Sequence, residues 1–227
     1  EQGAKRLLGF GPGDEQSACL KANPAALVFD YTQAMLLSLL YTDPHKVLLI
    51  GLGAGSLATC LHTHFSACQI TAIELRQSVI DVAYRYFGLP RSKRLRVICE
   101  EGLTGVNGVN KKQDLIFSDI YLHEGMHSNQ RNHAYIQRCR ELLKPTGILV
   151  TNCWREHQED NEVLDLLTAN FNHVSACNTH DHNWLLFASS HPFTKDTQRQ
   201  QSAKALSKVL GFSLGKHLKR LQDISRA

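Results

Sequence analysis

The sequence predicts an α/β protein built on a doubly wound, mostly parallel sheet. Three observations carry this. Short, β-branched apolar runs alternate with helix-length amphipathic segments. One of those runs leads directly into glycines at alternate positions and then into a helix. The last two strand candidates are joined by a polar loop too short for a helical crossover, so they pair antiparallel. The 227 residues are 43% hydrophobic and 20% charged, long enough to bury a core without staples and too apolar for wholesale disorder.

Taken in order, the buried strands are Lys46–Ile50, Gln69–Glu74, Leu95–Cys99, Asp114–Asp119 and Gly147–Cys153, each bounded by Gly, Pro or charge. Ser56–His64, Gln77–Phe87, Asn132–Leu143 and Glu159–Phe171 read as the intervening helices. His173–Cys177 and Trp184–Ser189 form the closing hairpin, expected at the sheet edge. Seven strands ending in such a hairpin make a class I methyltransferase-type, Rossmann-like sheet. Ahead of it, Phe29–Leu40 reads as one helix closed by Asp43-Pro44, and the Gly/Pro-punctuated first 28 residues have room for small strands such as Arg6–Phe10. Lys195–Ile224 carries leucines at helical spacing and reads as one or two amphipathic helices. The expected organisation is a small strand and loop segment over 1–28, the Rossmann-like domain over 29–190 and a basic helical extension over 191–227.

Charge and cysteine usage bound the partners. From Lys195 onward eight Lys/Arg face two acids, whereas the rest of the chain holds 17 basic and 19 acidic residues. The basic excess belongs to the tail, and a nearly neutral body argues against a nucleic-acid coat. The tail helices read as packed on the sheet or on a homodimer mate, ahead of a grip on nucleic acid or membrane. The longest apolar stretch, Val47 to Leu61, is broken by three glycines and so is no transmembrane segment. Seven cysteines without a C-x-x-C pair, and no basic-then-apolar leader, suggest a cytoplasmic protein.

Four elements point to chemistry. Gly51-x-Gly53-x-Gly55, between the first strand and its helix, lets the backbone turn sharply and lets a ligand approach main-chain N–H groups. That register fits a nucleoside-sulfonium site, and Gly53-x-Gly55-x-x-Ala58 fits a dinucleotide site in shifted register. Glu74 ends the second strand 23 positions after Gly51, where a carboxylate accepts from both ribose hydroxyls. Glu100-Glu101-Gly102 follows the third strand, where an acid can accept from an adenine amine. Asp119 ends the fourth at the ligand edge, with a helix N-cap as the plain alternative. Asn152-x-Trp154, Tyr121 and Tyr135 are further candidates for the acceptor side. His123, His127 and His133 near Glu124 lack metal-site spacing and suit a polar lid.

With these motifs in order, the sequence resembles the spermidine synthase (polyamine aminopropyltransferase) superfamily, more closely its bacterial spermidine-synthase-like branch. The likeness runs from about Arg6 to Trp154. It includes Asp30-Tyr31-Thr32-Gln33-Ala34-Met35, the glycine turn VLLIGLGAGSL, AIEL at 72–75, VIDVAYRYFGLP at 79–90, Glu101-Gly102 and SDIY at 118–121. The resemblance implies that Glu74, with Leu75 beside it, holds the ribose and Glu101-Gly102 the adenine. It implies that Asp119 holds or deprotonates the acceptor, and that Thr32 and Gln33 lie near the nucleoside tail.

The departures redirect the expected reaction. Aminopropyltransferases carry an acid inside the glycine turn, where this chain has Ala54, and a second acid three residues after the first, where it has Leu122. Those carboxylates hold cationic amines, which are costly to bury unpaired. Without the first, the carboxylate of intact S-adenosylmethionine is no longer repelled. The expectation is a transferase using an adenosyl sulfonium donor and a small-molecule acceptor, an amine among the candidates, with no metal. Methyl transfer is favoured. Aminopropyl transfer from decarboxylated S-adenosylmethionine and non-catalytic nucleoside binding are the alternatives, with a nicotinamide enzyme furthest out.

Overall fold

The computed structural model describes residues 3–9, 15–122, 125–126, 128–159, 161–193 and 196–224. The chain opens with a three-stranded antiparallel sheet, β1 (Lys5–Leu8), β2 (Ser17–Leu20) and β3 (Asn23–Leu27). Helix α1 (Asp30–Met35) follows and tightens into a 3-10 turn over Leu36–Leu40, all five residues of which are buried. A single helix was expected there. Asp43-Pro44 bars continuation, and the Ser38 hydroxyl donates to Met35 O at 2.8 Å, which closes the narrower turn.

Strands and helices then alternate: β4 (Lys46–Ile50), α2 (Ser56–His64), β5 (Gln69–Glu74), α3 (Gln77–Tyr86), β6 (Leu95–Cys99), α4 (Gly102–Asn107) and β7 (Gln113–Ser118). A short ribbon, β8 (Tyr121–Leu122) and β9 (Gly125–Met126), precedes α5 (His133–Leu142), β10 (Leu143–Trp154), α6 (Glu162–Asn170), β11 (His173–Asn178) and β12 (Asn183–Ser189). The last elements are α7 (Asp196–Leu210), α8 (Leu214–Leu218) and β13 (Leu221–Ile224). The large sheet has the order β13-β11-β12-β10-β7-β4-β5-β6. The run from β10 to β6 is parallel, and β12 enters antiparallel beside β10.

Period-two alternation builds the core on both faces. Val47 and Leu49 of β4, Leu115 and Phe117 of β7, and Ile148 and Val150 of β10 pack into one cluster. Their neighbours Leu48, Ile50, Ile116 and Leu149 pack into the other. Strand order reverses between β4 and β7, so their carboxyl ends open a crevice.

The C-terminal region departs from expectation. The sheet has eight strands, not seven, because 221–224 is a strand rather than helix. It pairs with β11 from Val174↔Ile224 to Cys177↔Leu221, which moves the hairpin inward from the edge. The leucine spacing continues past the helix end, but edge pairing supplies the backbone partners there. Side chains reinforce the pairing: Ser175 donates to Asp223 at 2.6 Å and Arg199 pairs with Asp223 at 2.9 Å. Ala203, Leu210 and Leu214 join the main core. Lys216 and Arg220 reach Asp30 of α1 at 3.5 and 2.9 Å, so with Arg199 three basic residues of the tail engage internal acids. None of the seven cysteines forms a disulfide, and only Cys99 is exposed. Among the described residues no helix is long and apolar enough to cross a membrane.

Candidate functional site

The glycine turn leaves β4 at the crevice. Gly51 has φ 92°, and a Cβ there would stand 2.0 Å from the Asp119 carbonyl oxygen. Only glycine lets the turn and the end of β7 touch. Gly53, at φ 54°, faces Ser17 of the small sheet. Helix α2 then starts without a side-chain cap, and Ser56, Leu57 and Ala58 of its first turn line the crevice. Its open N–H groups leave a partial positive charge at that wall.

Glu74 ends β5 beside this turn. Its carboxylate accepts from Leu52 N at 3.2 Å and Arg76 N at 3.1 Å, so each oxygen keeps a further lone pair. Glu101 caps α4, accepting from Leu103 N at 3.0 Å and Thr104 N at 2.9 Å. The acid that fits the cap geometry is therefore Glu101, whereas among the described residues Asp119 caps no helix.

Asp119 opens on the crevice from the end of β7. Asn152 Nδ2 donates to its Oδ1 at 2.8 Å, and Asn183 Nδ2 donates to Asn152 Oδ1 at 2.9 Å. The Tyr31 phenol also faces Asp119 and acts to lower its pKa. Burial pushes the Asp119 carboxyl above the usual carboxylate range, opposed by the bonds from Asn152 and Tyr31. The Tyr31 phenol is pushed well up by burial and by the charges of Asp119 and Asp181. Tyr121 stacks on Trp154 with centroids 5.4 Å apart and donates to Asn152 O at 3.1 Å.

These groups surround a cavity of about 310 Å³. Thr32, Gly51, Gly53, Glu74, Leu75, Glu101, Gly102 and Asp119 all line it. Three candidate residues stand elsewhere. Gly55, at φ 79°, sits against Leu89, whose Cδ1 would lie 2.6 Å from an added Cβ, so its role is packing. Gln33 turns away from the cavity: its amide donates to Leu27 O at 2.8 Å and faces His217 at 3.4 Å. Tyr135 is buried against Ser118 at 2.8 Å, away from any acceptor. Ala54 is 1% exposed and packs on Cys19 and Phe87, so its methyl faces the small sheet. His123, Glu124 and His127, and the Leu122 side chain, lie outside the described residues. Among the described residues no group of three or more His, Cys, Asp and Glu is arranged to hold a metal.

Sequence reasoning missed two contributors, Asp181 and Asn183. Both line the cavity from the turn between β11 and β12. The available signal was topological: an antiparallel strand beside β10 must begin where β10 ends, and Trp154 indeed pairs with Asn183. The wall charge is lopsided. Among the described residues, Glu15, Glu74, Glu100, Glu101, Asp119 and Asp181 line the cavity and Arg76 is the one lysine or arginine that does.

Comparison with known proteins places this geometry. A polyamine aminopropyltransferase from Neisseria meningitidis is 29% identical over 174 residues, covering 75% of this chain and 66% of that protein. The human eEF1A lysine and N-terminal methyltransferase is 28% identical over 188 residues, covering 76% of this chain and 27% of that protein. The chain therefore spans just under two thirds of the first relative and about a quarter of the second. The crystal structure of human methyltransferase-like protein 13 in complex with SAH superposes with a TM-score of 0.73 at 26% identity, covering 81% of this chain and 93% of that one. These relatives are transferases. Residues 31–190 match the spermine/spermidine synthase domain, and the chain belongs to that family.

Proposed function

We propose that the protein transfers an alkyl group from an adenosyl sulfonium donor to an amine, with the methyl group of S-adenosylmethionine as the favoured cargo. The carrying observation is Glu74, held beside the glycine turn by Leu52 N at 3.2 Å and across the crevice from Asp119. Its spare lone pairs suit the two ribose hydroxyls, and Glu101 with Gly102 suits the adenine. The uncapped start of α2 suits a carboxylate, which intact S-adenosylmethionine has and its decarboxylated form lacks. Ala54 offers no acid to repel it.

The reaction is then a displacement at carbon. An amine bound as its ammonium gives a proton to the Asp119 carboxylate, whose raised pKa makes it the stronger base. The freed lone pair attacks the methyl carbon, the carbon–sulfur bond breaks, and its electron pair returns to sulfur as the sulfonium charge disappears. Positioning and the field of the cavity do the remaining work.

Aminopropyl transfer is the second reading, favoured by the six carboxylates around the cavity and by the Neisseria relative. Calorimetry with S-adenosylmethionine, its decarboxylated form, methylthioadenosine and NAD separates the readings. S-adenosylmethionine should bind tightest, and Glu74→Ala should weaken it about a hundredfold through two lost charge-assisted bonds. Preference for the decarboxylated donor moves the assignment to aminopropyl transfer, and binding of none of the three sulfur nucleosides overturns both.

A further inference from the structure

We infer that the corner where α3 turns into β6 is a docking surface for single-stranded nucleic acid, remote from the cavity. It does not rest on the transferase reading. Between Val82 and Cys99 the chain holds five lysines and arginines and no acid. Arg94 is engaged internally, its guanidinium donating to the carbonyls of His62, Phe65 and Cys68 at 3.0 to 3.3 Å. Arg85, Arg91 and Lys93 are exposed, and among the described residues none of these three forms an ion pair. In the tail, by contrast, Arg199, Lys216 and Arg220 meet internal acids. The nearly neutral body therefore conceals a segregation, with acids around the cavity and cations at this corner.

Rings alternate with the charges. The Arg91 guanidinium lies over the Tyr84 ring at 4.3 Å from its centroid, and that of Arg85 over Tyr86 at 6.0 Å. Tyr86 is 48% exposed, so part of its ring is open to a stacking partner. From the small sheet, Arg6 Nη1 donates to the Tyr86 carbonyl, and Lys5 beside it in β1 is exposed. Asp81, one turn back along α3, accepts from Gln77 at 2.9 Å. The corner is also preformed. Gly88 takes a left-handed φ of 71° past the helix end, and Leu89 N reaches back to Ala83 O at 3.3 Å. Little ordering is then needed on binding.

Helix α3 starts beside the cavity, where Arg76 is its N-cap, and carries Tyr86 about 15 Å away. None of the corner residues lines the cavity. Guanidinium forks match phosphates, and the open phenol ring gives a base a face to stack on. An acidic peptide would use the charges and leave the ring idle. A membrane would need apolar side chains to insert, and Tyr86 is the one exposed large hydrophobic among the described residues of this corner.

The test follows the fluorescence anisotropy of a labelled oligoadenylate of about twelve nucleotides mixed with the whole chain. Binding should weaken about tenfold between about 50 and 200 mM salt. Arg85→Gln with Arg91→Gln should cost about a further tenfold and flatten that salt dependence. Arg85→Gln alone, on the exposed face of α3, should show part of the same loss. Lys204→Gln with Lys208→Gln removes two exposed charges from α7 as a control and should change binding less than about twofold. Tyr86→Ala should weaken binding about tenfold with the salt dependence kept. No binding by the parent chain, equal losses in the two double variants, or unchanged binding by Tyr86→Ala would each overturn the inference. Tighter binding of polyglutamate, or of phosphatidylglycerol vesicles, would overturn it in favour of an acidic protein or a membrane.

Discussion

Asp114 and Asp119 mark the two ends of one strand and meet opposite fates. At the foot of β7, Asp114 accepts from His45 N at 3.0 Å and Lys46 N at 2.8 Å, and Lys144 Nζ lies 2.6 Å away. Burial raises its pKa, but the Lys144 bond and the two N–H bonds outweigh it and hold the carboxyl below the usual range. At the head, Asp119 has an amide and a phenol in place of a cation, and burial wins. The amino edge of the sheet is satisfied internally. The carboxyl edge keeps an acid short of positive charge, a condition that a cationic ligand relieves.

The linkage signs are opposite as well. Stability from Asp114 is complete above the unfolded carboxylate value of about 3.9 and is lost as pH falls through its lower folded value. Asp119 holds its proton to higher pH in the folded state, so its contribution weakens as pH rises from that unfolded value through the raised one.

Three substitutions probe this contrast, beginning with the largest effect. Asp119→Asn should lower transfer about 10²–10⁴-fold in steady-state assays. Its thermal midpoint should hold or rise, since an uncharged group replaces a desolvated acid. Asp114→Asn should leave nucleoside affinity intact in calorimetry while costing about 1–3 kcal/mol in urea denaturation and flattening the acid limb of the stability curve. If either variant moved both readouts together, the division between the two edges would be broken. Asn183→Ala should act least, at about 1 kcal/mol. By loosening Asn152 it should lift the Asp119 pKa further and displace the acid limb of kcat/KM upward; an unmoved limb would show that Asn152 is oriented without it.

The parallel strands were legible because buried strands write themselves as apolar runs. Lys46–Ile50, Gln69–Glu74 and Leu95–Cys99 match the structure at both ends, and the β7 strand was read one residue late. β13 was not legible, since Leu214, Leu218 and Leu221 keep a helical rhythm while the last of them joins a non-local pairing. The cavity shows the same division. Glu74, Glu101 and Asp119 could be placed because each directly follows or ends a readable strand. Asp181 and Asn183 depend on how β12 aligns with β10, which no local pattern records. Gln33 misled for a related reason: a motif position says which residue is present, but the strand and helix packed around it decide where its amide turns.

The contact between Gly51 and Asp119 has a mechanical consequence. Because the Asp119 carbonyl oxygen occupies the place of a missing Cβ, the glycine turn and the end of β7 are spaced by direct backbone contact, and under the transferase reading proposed above this contact sets the gap between donor and acid. Methyl and aminopropyl groups are both attacked at a carbon bonded to sulfur, so on that reading one spacing serves either. The choice between them falls to whatever grips the far end of the nucleoside and rotates one carbon or another toward the acid.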